Sequence, residues 1–583
     1  MNETPQSNWN KPCRGPKQTL IWFALLAGAI FVTIVCISFL QGESGRNMDS
    51  VLTGLGASLL IATAVFVGLW FLRWVCRWRN FRRLLFGVAC LATLVALAYT
   101  VENWRGKRAW ENHRRQWEAK GEKFTFAELI PPKVPDEKNF ALAPLLEPML
   151  DYTQGANGLV WRDTNAIAHI ERLSATLAPG RETNDQLVLG RMEKGTFADL
   201  ASWAEFYRGN TNYPQASNPT NRAEPILVAL GKFDADLEQL REAAAARPYS
   251  CFPIHYEYEP SWGILLPHLA RMKGLTTLAQ VRATAELEAG MSAPAFEDLK
   301  LGLRLSDSIR EEPLLIDHLV RIATLSIDLQ TVREGLVRHA WTEPQLAEIG
   351  TYLASVDLLA EYTRAMQGER ALSIKGLDYL RRTGGWNNPM DYIGDPDGKS
   401  SSSPSFGPMP SGWFYQNMRT ISEMGQEFTF PAVDPRAHRI FPEITEKGTH
   451  AIETMRTGPY TIFAKLLLPA LQKAVQKSSR MQTYVDNARI ACALERYRLA
   501  EGKLPDALDA LAPRFIDRIP NDVIDGKPLR WRRDADGGYV LYSVGWNRTD
   551  DGGELAWIKQ KKDSEVDVTQ GDWVWKMPAR SGI

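Results

Sequence analysis

The stretch Cys251-Phe-Pro-Ile-His-Tyr-Glu-Tyr-Glu259, with His268 soon after it, holds the densest set of side chains able to do chemistry. His255, Glu257 and Glu259 alternate, so on a strand they share one face. A histidine flanked by carboxylates has the composition of an acid/base group or a metal-ligand set. The same alternation also fits an extended segment whose polar residues face water. No other pattern names a reaction. The eight histidines form no His-Glu-x-x-His, and the chain has no Gly-x-Ser-x-Gly elbow, no Gly-x-x-x-x-Gly-Lys and no Gly-x-Gly-x-x-Gly after a strand-like run. Asp395 and Asp397 beside Gly398 make only half of a calcium loop and read as a solvated turn. Glu311 and Glu312 read as helix-end charges.

The elements that must position these residues are mainly helical. At 583 residues the chain is too long for one core, so two or three domains are expected. Its 68 basic and 68 acidic residues balance, which argues against a nucleic-acid partner held by bulk charge. Cys13, Cys36, Cys76 and Cys90 lie in or near the apolar N-terminal region. Cys251 and Cys492 lie beyond it and read as buried free thiols, with a disulfide as the alternative in an oxidising compartment.

Residues 1–18 form a basic tail, and 19–101 hold three apolar runs, Leu20 to Leu40, Val51 to Leu72 and Leu84 to Thr100. Each approaches the ~20 residues that cross a bilayer core, and none contains Asp, Glu, Lys or Arg. Lys11, Arg14 and Lys17 precede the first run, and Arg73, Arg77, Arg79, Arg82 and Arg83 fill the loop before the third. The positive-inside rule then puts the N-terminus in the cytoplasm and everything after Thr100 outside a bacterial inner membrane. Arg105, Lys107, Arg108, Arg114 and Arg115, just past the third run, pull against that orientation.

Trp104, Ala109, His113 and Trp117 keep helical spacing, so the third membrane helix is expected to continue as a polar stalk to Gly121. Residues 102–138 are this stalk and a Pro-rich connection. Residues 139–380 read as successive amphipathic helices, stacked as hairpins in a possible solenoid. Expected among them are Ala198 to Tyr207, Pro225 to Ala246, Ser261 to Gly290, one opening at Ser292, one from Pro313 to Leu336, and one starting with a capping box at Thr342 and Gln345. The segment Ala283 to Asp307 looks like a tetratricopeptide helix pair without a second copy at fixed period. A Gly/Pro/Ser-rich linker at 381–411 and an irregular connection at 412–458 follow.

Residues 459–583 form a small α+β module: a long helix from Tyr460 to Glu501 ended by Gly502, and a short helix from Pro505 to Leu511. Leu529 to Arg533 and Tyr539 to Val544 then read as an antiparallel hairpin on an Asp-Gly turn, with Trp573-Val574-Trp575 as a third strand. Tyr497, Arg498, Leu499, Gly502 and Pro505 end the helix. Pro520, Asp522, Gly526 and Pro528 make a turn, and Tyr539, Leu541, Ser543 and Gly545 a strand. In these three motifs the region resembles the soluble domain of the major pseudopilins of type II secretion, over about 70 of 583 residues. Val523 stands where that family has proline, one residue is inserted before Gly526, and the N-terminal methylation motif is missing. As a whole the chain resembles uncharacterised bacterial membrane-anchored proteins that carry such a module. Because major pseudopilins hold Ca²⁺ in the loop after this strand, the resemblance implies a Ca²⁺ position at Asn547, Asp550 and Asp551, hard oxygen donors in a Gly-flexed loop.

The expectation is therefore a non-enzymatic, membrane-anchored envelope protein. Its partners would be the lipid bilayer and other envelope proteins or further copies of itself, not nucleic acid, in a role related to secretion. The alternative is a membrane-tethered hydrolase with its site in the central helical domain, near His255 to Glu259.

Overall fold

The computed structural model describes residues 78–155, 158–175, 189–383, 409–558 and 565–578, with isolated helical positions between 25 and 71. Apart from those positions the first two apolar runs, and most of the Gly/Pro/Ser-rich linker, lie outside the described residues. The chain divides into a unit at 1–102 and a unit at 103–583.

Helix α1 runs Trp78–Glu118. Its apolar part reaches a mean hydropathy of 2.3 with none of it buried, and among the described residues it is the one helix long and apolar enough to cross a membrane. The helix continues without a break through the polar stalk residues, as their spacing predicts, and the chain turns at Gly121 with φ +90°. Its last turns are packed. Gly106, Trp110 and His113 are buried, and a Cβ at Gly106 would collide with the carbonyl oxygen of Gly412. Only glycine permits so close an approach.

The middle of the chain is helical in the expected order. The helices are α2 (Thr164–Ala175), α3 (Leu200–Arg208), α4 (Ala223–Leu230), α5 (Asp234–Ala246), α6 (His268–Glu288), α7 (Ser292–Ser308), α8 (Leu315–Val337), α9 (Glu343–Ala354) and α10 (Leu358–Thr383). The capping box at Thr342 and Gln345 opens α9. Two expected helices are shorter than their apolar periods. A 3₁₀ turn at Gly231–Phe233 separates α4 from α5, and α6 begins only after Pro267 because Ser261–Gly263 is a separate turn. Two small hairpins, β1 (Tyr152–Gly155) with β2 (Gly158–Trp161) and β3 (Leu189–Arg191) with β4 (Thr196–Ala198), interrupt a stretch expected to be helical.

Beyond the linker come α11 (Ser411–Met424), β5 (Val433–Asp434), β6 (Arg439–Ile440), α12 (Pro442–Thr454), α13 (Ile462–Leu467) and α14 (Gln472–Glu501). The single helix expected from Tyr460 to Glu501 is thus two, because Pro469 sits in a 3₁₀ turn at Leu468–Ala470 and cannot donate into a continuous α-helical ladder. Gly502 ends α14 at φ +74°. The helix expected from Pro505 is reduced to a 3₁₀ turn at Leu508–Leu511. Strands β7 (Arg530–Arg533), β8 (Tyr539–Ser543) and β11 (Trp573–Met577) form an antiparallel sheet in the order β11-β8-β7. A further hairpin, β9 (Leu555–Ile558) with β10 (Glu565–Gly571), lies between β8 and β11 in the chain.

One core runs through both the helical body and the αβ region. Leu325, Leu329, Leu346 and Ile349 of α8 and α9 pack in a single cluster with Val485, Ala488 and Leu494 of α14 and Leu541 and Trp575 of the sheet. Nearly every α14 residue from Ser478 to Glu495 is buried. The boundaries drawn at 381 and 459 therefore do not separate cores. Arg333, fully buried in α8, adds a polar tie. Its guanidinium donates to the carbonyl of Lys576 in β11 at 2.9 and 3.1 Å, and to those of Gly195 and Thr196 at 3.0 Å.

Candidate functional site

The His255 segment is no strand, yet burial alternates along it: Phe252, Ile254 and Tyr256 are buried while His255, Glu257 and Glu259 face out. His255 Nδ1 lies 3.0 Å from Glu257 Oε1, with both side chains more than half exposed. Glu259 turns to Arg382 at 2.5 Å. His268 is elsewhere, fully buried and stacked on Phe252 at 4.1 Å, with no hydrogen-bond partner on either ring nitrogen. Burial pushes its pKa down to about 3. The inward alternation buries aromatics and leaves the polar set on open surface, the arrangement of a solvated segment rather than a pocket. Cys251 and Cys492 are both free.

In the acidic loop after β8, Asp550 Oδ2 lies 2.9 Å from Arg530 Nε, and Asn547 Nδ2 donates to Asp551 Oδ2 at 3.0 Å. Buried Asp572 accepts from the backbone N–H of Gly553 at 2.6 Å and of Asp551 at 3.3 Å, and burial raises its carboxyl to about 6. The three expected donors thus make contacts within the loop and to Arg530. Among the described residues no group of three or more His, Cys, Asp or Glu is placed to hold a metal ion.

The motif positions of the αβ region do meet. Asp522, buried, accepts from Ser543 Oγ at 2.8 Å, Val544 N at 3.0 Å and Ile524 N at 2.9 Å, which docks the Pro520–Pro528 turn on the end of β8. Burial raises the pKa of Asp522 in spite of these donors.

A second constellation was not singled out in the sequence. Where α8, the end of α14 and the β7–β8 turn converge, a cleft of about 390 Å³ is lined by His339, Glu495, Arg498, Lys503, Arg533 and Tyr539, among others. His339 Nδ1 lies 2.8 Å from Glu495 Oε1, and Arg498 forks onto both Glu495 oxygens at 2.7 and 2.8 Å. Burial works to raise Glu495, but the bonds from Arg498 and His339 outweigh it and hold the carboxyl low. His339 sits at φ +51°, closing α8 with its own N–H on the Leu336 carbonyl and that of Ala340 on Gly335. Glycine is the usual residue there. An imidazole held by a carboxylate through one nitrogen has the form of an oriented base. With Arg498, Lys503 and Arg533 in the lining beside this imidazole, the arrangement fits proton transfer or anion binding. The one sequence signal was negative: a helical period ending at Leu336 with no glycine after it.

Comparison with protein-family models, with curated proteins and with solved structures finds no match for this chain.

Proposed function

We propose that this chain is a membrane-anchored envelope protein whose body, residues 103–583, acts by binding other proteins, without catalysis. The observation that carries the reading is the burial of α14 within the shared core. A pseudopilin-like helix that built a fibre would offer an apolar face to neighbouring copies, and here the body takes that face. The resemblance in the αβ region is accordingly read as a fold element used inside a larger body, with stacked α6 to α10 as a solenoid-like surface. In the same proposal all three apolar runs span a bacterial inner membrane, the N-terminus is cytoplasmic and the body lies outside. The acidic loop takes Ca²⁺ once Arg530 releases Asp550. Cross-linking in membranes followed by co-purification in mild detergent tests the central part. A discrete hetero-complex supports it, and recovery of a lone monomer contradicts it.

The hydrolase alternative is favoured by one observation, the His339–Glu495 pair in its cleft. It would activate water, with Lys503 and Arg533 facing an anionic substrate. An esterase or phosphatase activity that His339→Ala abolishes, with the fold intact, would establish it over the binding role.

A further inference from the structure

Between α10, α11, the turn Gly425–Thr429, α12 and the start of α14 lies a cavity of about 60 Å³. Most of its wall is apolar, including Met366, Met424, Phe428 and Leu471. Three wall residues nevertheless carry buried atoms with no hydrogen-bond partner: Arg370 at Nε and Nη1, Gln472 at Nε2 and Thr445 at Oγ1. Arg370 is 4% exposed. Its Nη2 is already committed to Glu122 Oε2 and the Lys123 carbonyl, both at 2.7 Å. Its guanidinium packs over the rings of Phe124 at 4.3 Å and Phe430 at 5.0 Å, which fixes its plane.

The backbone at this place is also unusual. Gly425–Thr429 is a π-helical turn, closed by the Phe430 N–H on the Gly425 carbonyl at 3.0 Å. Such turns inside helices occur frequently at functional sites. The turn is held against α12 at backbone range, since a Cβ at Gly448 would fall 2.8 Å from Phe428 Cβ.

All the unpartnered groups can donate, so the group that would satisfy them is an acceptor. Nε and Nη1 of Arg370 lie on different edges of the guanidinium, so one of them, with the Gln472 amide and the Thr445 hydroxyl, offers three donors, which the two oxygens of a carboxylate take up and a lone carbonyl oxygen does not. Glu369, also in the wall, accepts the Leu315 N–H at 3.1 Å, and burial pushes its carboxyl up toward the neutral form, which lessens repulsion of an anion. The space is less than half of the ~150 Å³ that holds a benzene ring, and it accommodates only a short alkyl group.

We propose that this cavity binds a small monocarboxylate, its carboxylate on Arg370, Gln472 and Thr445 and its alkyl group against Met366, Met424 and Phe428. The site is independent of the protein-binding role above.

The test uses the full chain in nanodiscs, melted with acetate, propionate or benzoate at millimolar concentration against matched sodium chloride. Acetate or propionate raises the melting temperature by several degrees and benzoate does not. Thr445→Val and Gln472→Leu each raise the melting temperature without acid, because an unsatisfied buried group is removed, and each shrinks the acid-induced rise. No rise with any acid in the unmodified chain overturns the proposal and leaves water as the occupant. A rise that both folded variants retain in full overturns it as well, since the acid would then bind elsewhere.

Discussion

His339 Nδ1 and Glu495 Oε1 stand 2.8 Å apart, joining the left-handed turn that ends α8 to the last turns of α14. Two effects oppose each other at this residue. The left-handed backbone costs a non-glycine side chain roughly 1 kcal/mol, and a hydrogen bond to a charged carboxylate contributes about 1.5–3 kcal/mol. His339→Gly relieves the first and loses the second, so it is expected to cost about 1 kcal/mol. His339→Ala relieves nothing and is expected to cost about 2–3 kcal/mol. Urea midpoints should rank unmodified chain, glycine variant and alanine variant in that order. An alanine variant as stable as the unmodified chain would remove the bond from the account.

His268 gives acid sensitivity. Its folded pKa, about 3, lies below the unfolded value of 6.5 because of burial. Below pH 6.5 the unfolded chain therefore takes up a proton that the folded chain refuses, and stability falls as pH drops toward 3. The slope is about 1.4 kcal/mol per pH unit for this one group. His268→Phe keeps the stack on Phe252 and removes two unsatisfied nitrogens. It should be more stable at neutral pH by about 1–3 kcal/mol and lose less stability between pH 6 and 4. Parallel pH curves for the two proteins would count against this reading.

His438 has the opposite sign. Burial alone would lower its pKa, but the hydrogen bond and charge of Asp486, 3.1 Å away, raise it above 6.5. Its stabilising contribution is full below pH 6.5 and is lost as pH rises through the folded value. His438 sits at φ +52°, so asparagine, which tolerates that backbone, is the suitable replacement. His438→Asn should flatten the loss of stability that the unmodified chain shows above pH 6.5. A loss of the same size in both proteins would assign it to another group.

Calcium at the acidic loop requires Asp550 to exchange Arg530 for the ion. Millimolar Ca²⁺ is then expected to give measurable heat on the full chain, and Asp550→Ala with Asp551→Ala to abolish it. Magnesium, which demands a tighter octahedral shell, should give less. Calorimetry with no heat in the unmodified chain would dispose of the site.

Periodicity made α1 and most of α3 to α10 legible, because each buries an apolar stripe at helical spacing. Local chemistry marked the ends at Gly121, Gly290 and Gly502, where φ is positive. The errors had equally local causes. Pro469 divides a helix whose apolar stripe continues past it, and the small hairpins β1–β2 and β3–β4 carry too few residues for a period of two to register. The His255 segment alternated as read, but alternation says only which residues share a side, not whether that side is a pocket. The His339 cleft was invisible because Glu495 and Arg498 lie 156 and 159 positions away in the chain, and the turn uses histidine where glycine would have flagged it. The shared core was hidden for a related reason. An amphipathic α14 reads the same whether its stripe meets its own sheet or the helices of another region.

That shared core is the claim most directly open to measurement, by native-state hydrogen exchange on the full chain in detergent. The amides of α8 around Leu325 to Val332 and those of α14 from Ser478 to Leu494 are expected to exchange through one common opening. Arg333→Met, which removes the guanidinium's bonds to the carbonyls of Gly195, Thr196 and Lys576, should lower both sets together by about 3 kcal/mol. If α14 and β8 instead open at lower energy while α8 stays protected, the αβ region is a separate module and the account fails.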